Sequence, residues 1–166
     1  VRLSALKWFI LGFAAFFAQT HFSVFDIPLN VTAVLVYAFG LRALSSRSET
    51  FFWSSPELKS TVMGILIGFV GDTLSGSIVG PEVFSKGAVG FLTPIIFTDV
   101  LFRWTPLLGA LALCFLSILD GAVSLALRFL FTDITVSHAS FLQTIVVQGL
   151  MNTAFGVILK PAGETA

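Results

Sequence analysis

Apolar residues run along this chain in long unbroken stretches separated by short polar or proline-glycine breaks. A helix crosses ~30 Å of hydrocarbon with ~20 residues, ~17 being tolerated, and six stretches meet that need at about 3–20, 28–44, 61–79, 83–102, 107–131 and 140–159. Gln19, His21 and Asp26 mark the exit of the first. Pro28 suits the first turn of the second, because a proline there removes only an N–H that has no helical partner. The stretch 45–60 is the most polar, with Arg47, Glu49, Glu57 and Lys59, and its Phe51, Phe52 and Trp53 read as an interfacial anchor. Gly80-Pro81 stops the third stretch. The fourth, interrupted by Gly87, Gly90 and Pro94, also admits a broken or re-entrant segment. No linker divides the chain, so 1–166 reads as one all-α integral membrane domain, a six-helix transmembrane bundle.

Composition strengthens this reading. Of 166 residues, 56% are hydrophobic and only 11% charged, against ~25% charged in soluble domains. Lysines and arginines fall unevenly between the two sides. Arg2, Lys7, Arg42, Arg47, Lys59, Arg103 and Lys160 share one side, with Lys86 and Arg128 on the other. That asymmetry places both termini in the cytoplasm. Lys7 before an apolar stretch imitates a secretory signal, but Ala15-Phe16-Phe17-Ala18 lacks a small-x-small cleavage site, so the first span reads as retained. Zero net charge without a basic cluster leaves no footprint for nucleic acid. Cys114, a single cysteine, excludes a disulfide framework and reads as core filling. His21 and His138 read as interfacial polar residues rather than metal ligands. With no phosphate-binding glycine loop and no G-x-S-x-G turn, neither a catalytic residue nor a cofactor is expected.

Polar residues inside the spans carry the remaining information. Gly64, Gly68, Asp72 and Ser75 share one helix face, and Gly76 and Gly80 continue the small-residue spacing. Such a face lets another helix approach closely. Asp72 lies inside the span, where exposure to hydrocarbon costs roughly 2.5–3.5 kcal/mol, so it must face protein or water. In the fifth span Asp120 shares its side with Ser117, Ser124 and Arg128; in the sixth, Thr144, Gln148, Asn152 and Gly156 form a polar stripe. The stripe reads first as helix glue, with a ligand-lined path as the alternative. Lys86 enters from the outer side, and its expected partner is Asp72 or Asp120. Asp99 and Arg103 form an i, i+4 pair at a helix end.

The segment 68–91, Gly68-Phe-Val-Gly-Asp72-Thr-Leu-Ser75-Gly76 followed by Gly80-Pro, Ser85-Lys86 and Gly90-Phe91, resembles the signature region of the bacterial rod shape-determining protein MreD family. Gln19-Thr20, the break at Ile27-Pro28 and the six-span layout are similar to that family too. Gly71 and Pro94 depart from its pattern. The resemblance implies a non-enzymatic inner-membrane component of the cell-elongation machinery that supports peptidoglycan synthesis. Its implied partner is an MreC-like bitopic protein, with indirect links to an actin-like filament protein, a wall polymerase and a penicillin-binding protein. Gly64, Gly68, Asp72, Ser75, Gly76, Gly80 and Lys86 become the expected partner-binding or helix-packing residues.

MreD-like proteins are similar in layout to the substrate-binding S components of energy-coupling-factor vitamin transporters. Ala14-x-x-x-Ala18 resembles the alanine motif by which those components dock their coupling subunit, which makes transport the alternative function. An intramembrane enzyme built on Asp72 and Asp120 is a third reading, with no spacing that brings the two acids together.

Overall fold

The computed structural model describes residues 2–21, 23–24, 27–44, 55–76, 78–100, 104–131 and 138–161. Among them are six α-helices: α1 (Arg2–His21), α2 (Val31–Leu44), α3 (Pro56–Leu74), α4 (Pro81–Ile95), α5 (Pro106–Phe131) and α6 (His138–Ile158). A two-stranded antiparallel ladder, β1 (Ser23–Val24) with β2 (Ile27–Pro28), joins α1 to α2 and pairs Ser23 with Pro28 and Val24 with Ile27. The all-α class therefore matches the sequence reading. The anchor at Phe51, Phe52 and Trp53 and the residues Asp26, Arg47, Glu49, Arg103 and Asp133 lie outside the described residues.

Local chemistry explains where the helices differ from the expected spans. Pro28 does not open α2; it sits in β2, and the helix starts at Val31. Asn30 provides the start signal, its Oδ1 accepting from the Ala33 N–H at 3.1 Å in the manner of an N-cap. α3 begins five residues earlier than predicted, because Ser55 caps it through Oγ to the Leu58 N–H and Pro56 and Glu57 fill its first turn. It also ends earlier, at Leu74, where Gly76 takes a positive φ of 64°. Gly80-Pro81 consequently does not stop α3. It opens α4, with Gly80 at the N-cap and Pro81 in the first turn.

Pro94 lies inside α4, where it lacks an N–H for the ladder, and two residues later the helix loosens into a π-helical turn, Ile96–Val100. Thr93 and Thr98 hydroxyls bind the carbonyls of Val89 and Pro94 at 2.7 and 3.0 Å on either side of this break. α5 and α6 follow the predicted fifth and sixth spans closely.

Helix α2 is the centre of the bundle and touches each of the other five helices. Only Arg42 on it is exposed. Its Val36, Tyr37 and Leu41 pack with Val89 of α4 and Leu113 and Leu116 of α5, all fully buried or nearly so. The Tyr37 hydroxyl donates to the Gly109 carbonyl at 3.2 Å, so this central ring carries no unpaired polar end.

Among the described residues one helix, α5, is long and apolar enough by itself to cross a membrane, and α2 and 142–158 are shorter apolar helices. The 14 residues of α2 reach roughly 21 Å at ~1.5 Å per residue.

Candidate functional site

The site grows from the antiparallel packing of α3 on α4. Ser60, Gly64 and Gly68 stand at four-residue intervals on α3, opposite Gly90, Lys86 and Glu82 at the same interval on α4. A Cβ added at Gly64 would collide with the Lys86 carbonyl, one at Gly68 with that of Glu82, and one at Gly90 with that of Ser60. The two backbones are in direct contact along two turns, which only residues without side chains permit. Gly109 of α5 and Gly156 of α6 meet the same way, each Cβ position lying 2.5 Å from the other's carbonyl oxygen.

Asp72 is the next step of the α3 row and is wholly buried. Its Oδ2 accepts from the Gly80 N–H at 2.8 Å and the Val83 N–H at 3.3 Å, while Oδ1 accepts from the Glu82 N–H at 3.2 Å. These N–H groups belong to the first turn of α4, where no helical acceptor exists and the helix dipole favours negative charge. Asp72 therefore caps α4 from another helix. The Asp72–Lys86 alternative is overturned, since both Asp72 oxygens are taken by backbone donors.

Lys86, 2% exposed, instead reaches Asp120 of α5 at 2.6 Å and Glu82, one turn back on α4, at 2.8 Å. Glu82 Oε1 also accepts from the Ser124 hydroxyl at 3.2 Å and lies 3.6 Å from the Arg128 guanidinium. Asn30 donates to the same Asp120 oxygen at 2.6 Å. The Asn152 amide donates to Ser117 Oγ at 2.9 Å and to the Asn30 carbonyl at 3.4 Å. Three helices, α4, α5 and α6, and the loop before α2 are thereby tied to two carboxylates and two cations, whose formal charges cancel.

The remaining expected residues lie around this cluster. Gln148 donates to the Pro28 carbonyl at 2.8 Å, fastening α6 to β2. Ser75 is exposed at the end of α3, with its hydroxyl on the Asp72 carbonyl. Gly76 and Gly80 face open space and make no close helix contact, contrary to the small-residue stripe; both serve the turn through positive φ, 64° and 147°. Exposed His21 engages Thr20 and the Phe17 carbonyl, and Cys114 is half-buried. The Asp99–Arg103 pair and the His138 side chain fall outside the described residues. Among those residues no group of three His, Cys, Asp or Glu side chains is placed to hold a metal ion.

Glu82, Asn30 and Ser60 were not singled out from the sequence. The signal for Glu82 is its i, i+4 spacing to Lys86, the ion-pair spacing of a helix.

Beside the cluster lies a half-open cavity of about 400 Å³, bounded by α1 to α5 and by Pro28. Gln19 and Phe16 of α1, Ile67 of α3 and the charged groups Glu82, Lys86 and Arg128 line it.

No family model matches the chain, and neither does a curated protein or a solved structure.

Proposed function

We propose that this chain is a multi-pass inner-membrane scaffold of the bacterial cell-elongation complex, of the MreD kind, that binds an MreC-like bitopic protein and supports peptidoglycan synthesis. The observation that carries the reading is an inversion of polarity around the segment that resembles the family signature. Asp72, Lys86 and Asp120 are interior, while Phe84, Leu107, Leu130 and Ile158 are each at least 66% exposed. Water disfavours that arrangement and a bilayer favours it, because intramembrane charges face protein and lipid-facing residues are apolar. In this reading all six helices lie in the membrane with the termini on the cytoplasmic side. The charged groups of the signature segment act within the fold, joining helices.

Gentle detergent extraction and pull-down tests the proposal. Retention of a bitopic membrane protein and, through it, of wall-synthesis components is the expected result; its loss from a chain that remains folded removes the scaffold reading.

A second reading, the S component of an energy-coupling-factor vitamin transporter, is favoured by the cavity of about 400 Å³, within the range of small-molecule sites. Exposed Ala14 on α1 also suits the alanine docking motif. An ATPase pair with a membrane coupling protein in the same pull-down would select it.

A further inference from the structure

The cavity wall presents side-chain N–H groups, while its charged acceptor is already engaged. The wall carboxylate, Glu82, has both oxygens engaged: Oε2 by Lys86, Oε1 by Ser124 and Arg128. Donors are in a different state. Lys86 has three N–H groups, of which Glu82 and Asp120 take two, and among the described residues the third meets no acceptor. The Gln19 side chain is held in one orientation because the Thr32 N–H and hydroxyl both donate to its Oε1, at 3.3 and 2.9 Å. Its amide N–H₂ must then point the other way, and among the described residues it has no acceptor either. Phe16 and Ile67 supply apolar wall next to these donors.

We infer that the cavity binds a singly charged oxyanion, a carboxylate or phosphodiester, borne on an apolar body, with Gln19 and Lys86 donating to it. The wall limits the charge: Lys86 and Arg128 are already matched by Glu82 and Asp120, so every negative charge brought in is uncompensated and a polyanion costs more than a monoanion. Two sources carry this chemistry, a phospholipid headgroup or a free amphiphilic acid. The inference goes beyond the scaffold reading and does not depend on it.

The full chain in a neutral maltoside detergent provides the test, with bound species counted by native mass spectrometry and stabilisation followed by thermal unfolding. The probes are dioleoylphosphatidylglycerol, dioleoylglycerol as the same lipid without an oxyanion, and hexanoate. Binding of phosphatidylglycerol but not dioleoylglycerol supports the proposal with a lipid source; binding of hexanoate supports it with a soluble one. Gln19→Glu keeps the acceptor for Thr32 and replaces the free donor by a negative oxygen, so it should weaken either probe at least tenfold. Should that variant fail to fold, Gln19→Met is read in its place with the same loss expected. Thr73→Val, outside the cavity and with its hydroxyl already on the Phe69 carbonyl, should leave binding unchanged. Absence of binding by both acidic probes overturns the inference, as does equal retention of dioleoylglycerol or undiminished affinity in the Gln19 variant.

Discussion

Asp72 of α3 supplies the capping group that Gly80, the side-chain-free N-cap of α4, cannot, accepting the Gly80 N–H at 2.8 Å across the turn between the two helices. A cap from within the same segment would stabilise one helix. This one fixes the helix start and the helix pairing together, so the turn at 75–80 cannot shift without exposing buried donors.

Asp72→Ala should therefore cost more than an ordinary cap deletion of ~0.5–2 kcal/mol, because hydrogen bonds to a charged acceptor are worth roughly 1.5–3 kcal/mol. Asp72→Asn keeps one acceptor and should lose about half as much. Unfolding in detergent, followed by circular dichroism, ranks the three proteins. If the alanine and asparagine variants are as stable as the native chain, the cap is not holding α4.

Lys86 bridges two carboxylates, and its removal leaves both without their cation. Lys86→Met should lose about 3–5 kcal/mol, the usual result of stranding a buried charge. Adding Asp120→Asn removes one of the stranded charges, so the double variant should be more stable than the sum of the single losses predicts, by roughly 0.5–3 kcal/mol. Simple additivity in the double-mutant cycle would show that the 2.6 Å contact carries no coupling.

Much of this architecture is legible in the chain itself. Long apolar runs mark α5 and α6 to within about two residues of their observed ends, and four-residue spacing marks the Gly64, Gly68 and Asp72 face. The limits of α3 are not legible from apolarity, because a capped first turn such as Ser55-Pro56-Glu57 is polar by necessity. Reading Gly80-Pro81 as a stop removed Glu82 from a helix and so hid its i, i+4 relation to Lys86. Spacing also assigns a face but not a bonding partner. That Asp72 takes backbone N–H groups and leaves Lys86 to Asp120 follows from how deeply α3 and α4 interlock, which depends on both helices at once.

Asn152 and Gln148 share a stripe on α6 but should respond differently to truncation. Asn152 is fully buried, and Asn152→Leu strands the Ser117 hydroxyl away from water, at a cost of about 1–3 kcal/mol, while the Asn30 carbonyl keeps the Val34 N–H. Gln148 is half-buried with one bond to the Pro28 carbonyl, so Gln148→Leu should cost about 1 kcal/mol or less. Equal effects in thermal unfolding would mean that the stripe acts as a unit instead of through its buried member.

Three glycines separate close packing from backbone conformation. Gly64 stands against the Lys86 backbone, which cannot rotate away, so Gly64→Ala should force α3 and α4 apart and lose ~1–3 kcal/mol or more. At Gly12 the nearest atom to an added Cβ is a side-chain carbon of Ile67 at 3.5 Å, and Gly12→Ala should be neutral or stabilising by up to about 1 kcal/mol through helix propensity. Gly80 has open space around it but a φ of 147°, so its substitution should cost roughly 1–3 kcal/mol through backbone strain, with alanine and leucine alike. A packing role at Gly80 would instead make leucine much worse than alanine. Comparing both substitutions at each position therefore distinguishes contact from strain, and a strong size dependence at Gly80 would require that turn to press against another surface.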